Sequence, residues 1–208
     1  MPLNTFAVID FETTGLSPAH GARPTEIAIV LVRHHRIVDR YQSLMNPEVP
    51  IPVDIQALTG ITQAMVRSAP RIGAVMQQAA DFAGSYPLVA HNAAFDRKFW
   101  DAETHKIHRP RVQDFVCSLL LSRRLFPNAP NHRLATLVHT LQLPKTGQFH
   151  RALADAEATA HLLIRLQSEL QQRYTMESIS ANLLCQIQAI GRGKMDAFIQ
   201  RYRLKQSA

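Results

Sequence analysis

A chain of 208 residues, 46% hydrophobic and 19% charged, has an ordinary globular composition and enough length to bury a core without disulfide staples. Its two cysteines, Cys117 and Cys185, each lie in an apolar stretch and read as buried free thiols of a reducing compartment. No apolar run approaches the ~20 residues that span a bilayer, and the short start Met1–Ile9 lacks the basic region of an export signal, so a cytoplasmic protein with no membrane partner is expected.

In chain order, Thr5–Ile9 is a compact apolar run of strand type that ends at an acidic cluster. Glu26–Arg33 and Ile37–Leu44 read as two further strands joined by the turn His34-His35-Arg36. A Pro-rich crossing, Pro47–Pro52, leads to a short helical piece near Asp54–Leu58. The helical spacing of Ile72, Val75, Ala79 and Phe82 predicts a helix over Gly73–Gly84. Pro87–Ala90 is a short strand of buried type, followed by His91-Asn92 and a helix from about Ala94 to His105, with Asn92 as its N-cap. Arg111–Val116 is the expected fifth strand, running into a helix over Cys117–Leu125. Phe126–Arg133, with Pro127 and Pro130, is a loop, Leu134–Leu141 a short helix, and Pro144–Phe149 a loop containing Gly147. A long helix follows over Ala152–Arg173, with Ala156, Ala160, Leu163, Leu166 and Leu170 along one face. Met176–Leu204 is helical with an interruption at Gly191-Arg192-Gly193.

A strand, a hairpin and then alternating helices and strands imply a mixed α/β sheet. The division expected is a domain over 1–174 and a helical extension over 175–208. The extension carries Lys or Arg at 192, 194, 201, 203 and 205. Its apolar positions Ile179, Leu183, Leu184, Ile187, Ile190 and Phe198 suit either packing back on the domain or a partner, such as a polymerase or a second copy of the chain.

The net charge is +7, which points to a polyanionic partner. Between Thr104 and Ala154 there are eight Lys or Arg residues, five histidines and a single acid, Asp114. Charge alone does not separate nucleic acid from an anionic surface, so the decision falls to the chemistry-bearing clusters.

Three such clusters stand out. Asp10-Phe11-Glu12-Thr13-Thr14-Gly15 closes the first strand, where residues two apart point the same way. Asp10 and Glu12 therefore project together while Phe11 faces the core. Paired carboxylates repel and raise each other's pKa unless a cation offsets them, and hard divalent ions prefer such oxygen ligands. His91-Asn92-Ala93-Ala94-Phe95-Asp96 places Asp96 in the first turn of a helix, where the dipole favours an ionised carboxylate. His150 precedes the long helix and Asp155 lies within its first turns, giving an imidazole on a loop and a carboxylate on a rigid element.

Taken together, Asp10, Glu12, Asp96, His150 and Asp155 closely resemble the three exonuclease motifs of the DEDDh family, which includes the proofreading epsilon subunit of bacterial DNA polymerase III. Asp-Phe-Glu-Thr-Thr-Gly at 10–15 is similar to the first motif, His91-Asn92-Ala93-Ala94-Phe95-Asp96 to the second and His150-x4-Asp155 to the third. Ile55-Gln56-Ala57-Leu58-Thr59-Gly60-Ile61 resembles the epsilon-type stretch between the first two. The resemblance covers roughly residues 5 to 170. Cys117-Ser118 departs from it, because many epsilon-like sequences carry Asp-Thr there, and no clear clamp-binding motif is visible in the C-terminal region.

The resemblance implies a ribonuclease-H-like fold with a central five-stranded mixed sheet flanked by helices. It also implies a 3′→5′ exonuclease that releases nucleoside monophosphates from single-stranded ends with two divalent cations, Mg²⁺ or Mn²⁺. Asp10, Glu12, Asp96 and Asp155 would hold the metals, and His150 would take the proton of the attacking water. Thr13, Thr14, Gly15 and Leu16 would lie against the terminal nucleotide, with Leu58 and Thr59 beside it. Leu16 and Phe95 are candidates for packing on terminal bases, although core packing suits Phe95 equally. His91 and Asn92 suit either a cap and core role or substrate contact. The same residues would serve DNA proofreading or repair, RNA trimming or oligonucleotide hydrolysis, while a non-catalytic binding module has no reason to hold four clustered acids.

Overall fold

The computed structural model describes residues 5–147, 150–191 and 193–206. Residues 148–149 of the expected loop, Arg192 of the expected interruption and the side chain of Lys205 lie outside the described set. β1 (Thr5–Thr13) runs on past Ile9, the predicted end, because its ladder with β2 (Pro24–Arg33) continues: Asp10, Phe11 and Glu12 stand opposite Ala28, Ile27 and Glu26. Both acids of the first motif are therefore carried on paired backbone. β3 (Arg36–Leu44) completes the predicted hairpin. His34 and His35 take positive φ in its turn.

The sheet has the order β3-β2-β1-β4-β5, antiparallel between its first three strands and parallel from β1 through β4 (Leu88–Ala90) to β5 (Phe115–Cys117). This is the expected five-stranded mixed sheet. β5 starts later than predicted, at Phe115, and ends one residue later, at Cys117, which the sequence placed in the following helix. Before it, Arg111 is turned aside by its bonds to the Asp101 carboxylate (2.6 Å) and to the Gln113 carbonyl, and the ladder begins at the Asp114 carbonyl, which accepts from the Leu88 N–H at 2.9 Å.

Nine helices are assigned among the described residues: α1 (Val53–Thr59), α2 (Gln63–Arg67), α3 (Ile72–Ala83), α4 (Ala94–Lys106), α5 (Ser118–Leu125), α6 (Leu134–Thr140), α7 (Ala152–Tyr174), α8 (Ala181–Ala189) and α9 (Met195–Gln206). α2 and a 3-10 turn at Pro18–His20 have no counterpart in the sequence reading. Both are too short for a periodic apolar stripe, although Thr62 caps α2 by accepting from the Met65 N–H. The expected cap of α4 is corrected. Ala93 holds that position with no side-chain cap, while Asn92 takes φ 65° and its carbonyl accepts from the Phe95 N–H at 2.9 Å. Asn tolerates the left-handed region, so its use here is to turn the chain sharply off β4.

Strand alternation sorts the core into two layers. Phe6 and Val8 of β1, with Ala28, Val30 and Val32 of β2, face α7 and α8. Ala7, Ile9 and Phe11, with Ile27 and Ile29, face α3 and α4. The Ala152, Ala156 and Ala160 positions lie fully buried on α7, and small side chains there let the helix approach the sheet just where the acids sit. Further along, Leu163, Leu166 and Leu170 are equally buried, each contributing about 1.5–3 kcal/mol of burial.

The C-terminal residues pack back on this body. Ile179, Leu183, Leu184 and Ile187 are buried in the α7 layer, with Ile190 and Phe198 packed against it. The Gln188 amide covers the outer edge of β5, accepting from the Cys117 N–H (2.7 Å) and donating to the Phe115 carbonyl (3.1 Å). An open strand edge is thereby satisfied by a side chain. Cys117 is buried as expected but Cys185 is only half-buried, because α8 lies at the sheet's border. Among the described residues no helix is long and apolar enough to cross a membrane.

Candidate active site

The acids of β1 fall on the α7 side of the sheet. Asp10 and Glu12 continue the alternation of Phe6 and Val8, and Phe11 points the other way into the α3–α4 core. β4 stops at Ala90, so beyond it the Phe11 N–H is met by the Asp96 carboxylate, at 3.2 Å. Asp96 is itself almost fully buried in the first turn of α4. The third contributor is the entry to α7. His150 is exposed with φ 64°, and its backbone N–H donates to Asp155 Oδ2 at 3.0 Å. This bond turns the imidazole back over the helix start. Ligand atoms of Glu12, His150 and Asp155 all lie within 4.8 Å of one another.

Burial and mutual repulsion mark the cluster electrically. Burial, then Asp96, Asp155, Glu12 and Glu26, push Asp10 well above the usual carboxylate range. Glu12 is pushed up to about 8 by burial and by the charges of Asp155, Glu26 and Asp96, against a lowering by Arg151. Asp96 is pushed up to about 8, chiefly by burial, despite its backbone hydrogen bonds. Asp155 is raised by burial, opposed by the His150 N–H and charge. Asp155 Oδ1 is buried and has no hydrogen-bond partner. Carboxylates gathered from three elements, with raised pKa values and one orphaned oxygen, fit divalent cations, which would relieve both the repulsion and the unmet acceptor.

Glu26 was not singled out in the sequence, yet it stands directly across from Glu12 and is fully buried. It accepts from Arg151 Nε (3.2 Å) and Nη2 (2.8 Å), from the Ala152 N–H (3.0 Å) and from Gln42 Nε2 (2.8 Å). The signal available was an acid inside the otherwise apolar strand Glu26-Ile27-Ala28-Ile29-Val30.

The expected substrate residues divide. Leu16 is 82% exposed and Leu58 52%, both free to meet a base. Thr13 Oγ1 instead donates to the Gly15 carbonyl (2.7 Å), and Thr14 Oγ1 accepts from the Arg23 N–H (2.9 Å). These hydroxyls shape the β1–β2 loop. The close approach at Gly15 is to Ala22, whose Cβ would lie 3.3 Å from an added methyl. Thr59 is buried and bonded to the Ile55 carbonyl and the Ile61 N–H. Phe95 packs toward the core, its ring 5.1 Å from that of Phe99. Asn92 is exposed.

His91 is tied into the protein at both ring nitrogens. Nε2 lies 2.9 Å from the His132 carbonyl and Nδ1 2.9 Å from Ser118 Oγ. A carbonyl only accepts, so Nε2 carries the proton and Nδ1 accepts from the serine hydroxyl. Burial lowers His91 to about 4, which keeps the ring neutral. Ser118, half of the Cys-Ser pair that departs from the epsilon pattern, is thus the partner that holds this histidine.

A five-stranded mixed sheet with carboxylates at the end of β1 and in the first turn of α4, and a histidine–aspartate pair at the start of α7, marks a nuclease of ribonuclease-H-like fold. Residues 7–163 match the RNase T exonuclease family model, and the chain belongs to that exonuclease family. It is 38% identical over 170 residues, 81% of its length, to the PolC-type DNA polymerase III of Bacillus cereus, and 37% identical over 175 residues to that of Bacillus subtilis. In each case it spans only 12% of the length of the relative. Among solved structures it is similar to Exonuclease X in complex with 5′ overhanging duplex DNA, at 31% identity and a TM-score of 0.71, covering 88% of this chain and 99% of that one. The fold is also that of E. coli Exonuclease I in complex with a dT13 oligonucleotide, at 17% identity and a TM-score of 0.71, covering 83% of this chain and 43% of that one.

Proposed function

We propose that this exonuclease removes nucleoside monophosphates from single-stranded 3′ ends of DNA, in the 3′→5′ direction, with two divalent cations, Mg²⁺ or Mn²⁺. The observation that carries this reading is the meeting of Glu12, His150 and Asp155 within 4.8 Å, beside the buried Asp10 and Asp96. Asp10, Glu12, Asp96 and Asp155 are the residues that would hold the cations. Bound there, the cations would supply activated water and offset charge on the phosphoryl group and the departing 3′ oxygen.

The chain's own groups complete the chemistry. The His150 imidazole, on the rim where water has access, takes the proton from the attacking water. Its backbone bond to Asp155 keeps the ring over the nucleophile. Leu16 and Leu58 pack on the terminal base, an interaction of about 1–3 kcal/mol per base. DNA is preferred over RNA as substrate because the polymerase relatives and Exonuclease X act on or bind DNA by name. A working context beside a DNA polymerase follows from the same likeness.

Matched 5′-labelled DNA and RNA oligomers, incubated with Mg²⁺ or Mn²⁺, test the proposal. The expected result is a ladder shortening from the 3′ end, faster on DNA, and abolished by chelation. A faster RNA ladder would reassign the substrate. Binding of both oligomers without cutting by metal-loaded protein would replace the enzyme with a binding module.

A further inference from the structure

A cleft of about 870 Å³ opens beside His150 and Asp155 and extends along α5 and the loop that leads into α6. Asp155 is its one acidic lining residue, at the catalytic end, while Arg123 of α5 and Arg133 at the start of α6 face it further out. Arg40, Arg109, Arg111, Arg151 and Arg173 are in ion pairs with Asp or Glu. Arg123 and Arg133 are in none among the described residues. Two uncommitted guanidiniums next to a cluster of carboxylates form a cationic field along one path away from the metal site.

The wall that carries them is fixed in place. His91 donates to the His132 carbonyl, and His132 Nε2 donates to the Phe126 carbonyl at 3.0 Å. The loop is thereby closed on itself and pinned to β4. The position of the cleft in the sheet adds direction. Leu16 follows β1 and Leu58 lies on α1 beyond β3, whereas the cleft sits on the β4–β5 side. Asp155 lines the inner end of the cleft, so a strand held at the clustered carboxylates has a continuous path from them between Arg123 and Arg133.

We infer that this cleft holds the sugar–phosphate backbone of the substrate strand on the retained side of the scissile bond, with Arg123 and Arg133 as its phosphate contacts. The inference rests on the exonuclease reading above and goes further by assigning the track. Guanidinium forks match phosphate oxygens bidentately, and contacts to the backbone are independent of base identity. Such a track suits an enzyme that must retain a strand of any sequence after each cut.

The test compares two substrates that differ only in whether the cleft is occupied. The p-nitrophenyl ester of thymidine 5′-monophosphate reaches the metal site and the leucines alone, and a 5′-labelled oligothymidylate reaches the cleft as well. Arg123→Ala and Arg133→Ala should each raise KM for the oligomer about tenfold, in line with the loss of one charged hydrogen-bonded contact. Both should leave turnover of the ester within about twofold. The salt dependence of oligomer KM should flatten by about 0.7 in log–log slope per contact removed. Anisotropy of a labelled oligothymidylate, with no catalysis involved, should show the same loss of affinity. Unchanged oligomer KM and affinity in both variants would overturn the track, as would an equal loss on the ester. Wild-type protein that binds the oligomer through these arginines yet cleaves neither substrate would sink the exonuclease reading and leave the track standing.

Discussion

Arg151, at the N-cap of α7, reaches across to Glu26 on β2 and grips its carboxylate at 2.8 and 3.2 Å, while the Ala152 N–H takes the same carboxylate at 3.0 Å. One buried acid thus holds both the side chain and the backbone of the junction between His150 and Asp155. It does so directly opposite Glu12. The pair is lopsided: the Glu26 side chain is 1% exposed and that of Arg151 37%. Removing the arginine strands a charge in the interior, whereas neutralising the glutamate leaves Arg151 with access to water.

Arg151→Ala should therefore destabilise the protein by about 2–4 kcal/mol, and Glu26→Gln, whose buried amide nitrogen meets donors on either side, by about 1–3 kcal/mol, in urea denaturation. Both should lower kcat more than they raise KM, because the junction orients the proposed catalytic groups, His150 and Asp155, and leaves the proposed base contacts at Leu16 and Leu58 intact. Unchanged stability in both variants would contradict the grip of Glu26 on this junction.

Substitutions at the acids separate chemistry from folding. Asp10→Asn and Asp155→Asn remove a negative charge from an overcrowded cluster, so metal-free stability should hold or rise while cleavage falls by about 10³-fold or more. His150→Ala should lower kcat by about 10²–10⁴-fold without loss of divalent-ion binding by Asp10 and Asp96. Single-turnover cleavage with calorimetric titration of Mn²⁺ reads both. Full activity in His150→Ala would remove the imidazole from the mechanism.

Metal-free stability should fall as pH rises. Glu12 and Asp96 have ordinary values of 4.5 and 3.8 and stand at about 8 when folded. Between those limits the folded protein binds more protons than the unfolded chain, so stability decreases with pH. His91 acts in the opposite sense below its ordinary 6.5, which makes pH 6.5–8 the window to use. Thermal unfolding should show a falling midpoint there, restored by Mg²⁺ or Mn²⁺ most strongly at pH 8, and flattened in Glu12→Gln with Asp96→Asn. A midpoint that climbs through this window in chelator would refute the idea.

His91→Ala breaks the bonds to Ser118 and to the His132 carbonyl, leaving that carbonyl without its donor. A cost of about 2 kcal/mol is expected, along with a looser 126–133 loop, seen as faster amide exchange there. Loss of activity with no change in stability or exchange would instead make His91 a direct substrate contact.

Much of this was legible in the sequence because it rests on local periodicity. The apolar runs of β1, β2 and β3, the i, i+2 placement of Asp10 and Glu12, and the long face of α7 follow from two spacings, 2.0 and 3.6. The motif order named the family. Short elements such as α2, and the late start of β5, were hidden because one side-chain bond, Thr62 to Met65 or Arg111 to Asp101, outweighs weak local propensity there.

What the sequence determined by itself was therefore the strand and helix alphabet, the mixed sheet and the exonuclease family. Only the tertiary structure decided which candidate groups are tied up in internal hydrogen bonds and which stay open to solvent. It committed His91, Thr13, Thr14 and Thr59 to internal hydrogen bonds, left Leu16 and Leu58 exposed, and brought Glu26 under Arg151. The reason is physical: hydrogen-bond partners and burial are set by residues far apart in the chain, and an acid 125 positions from its arginine carries no local sign of the contact.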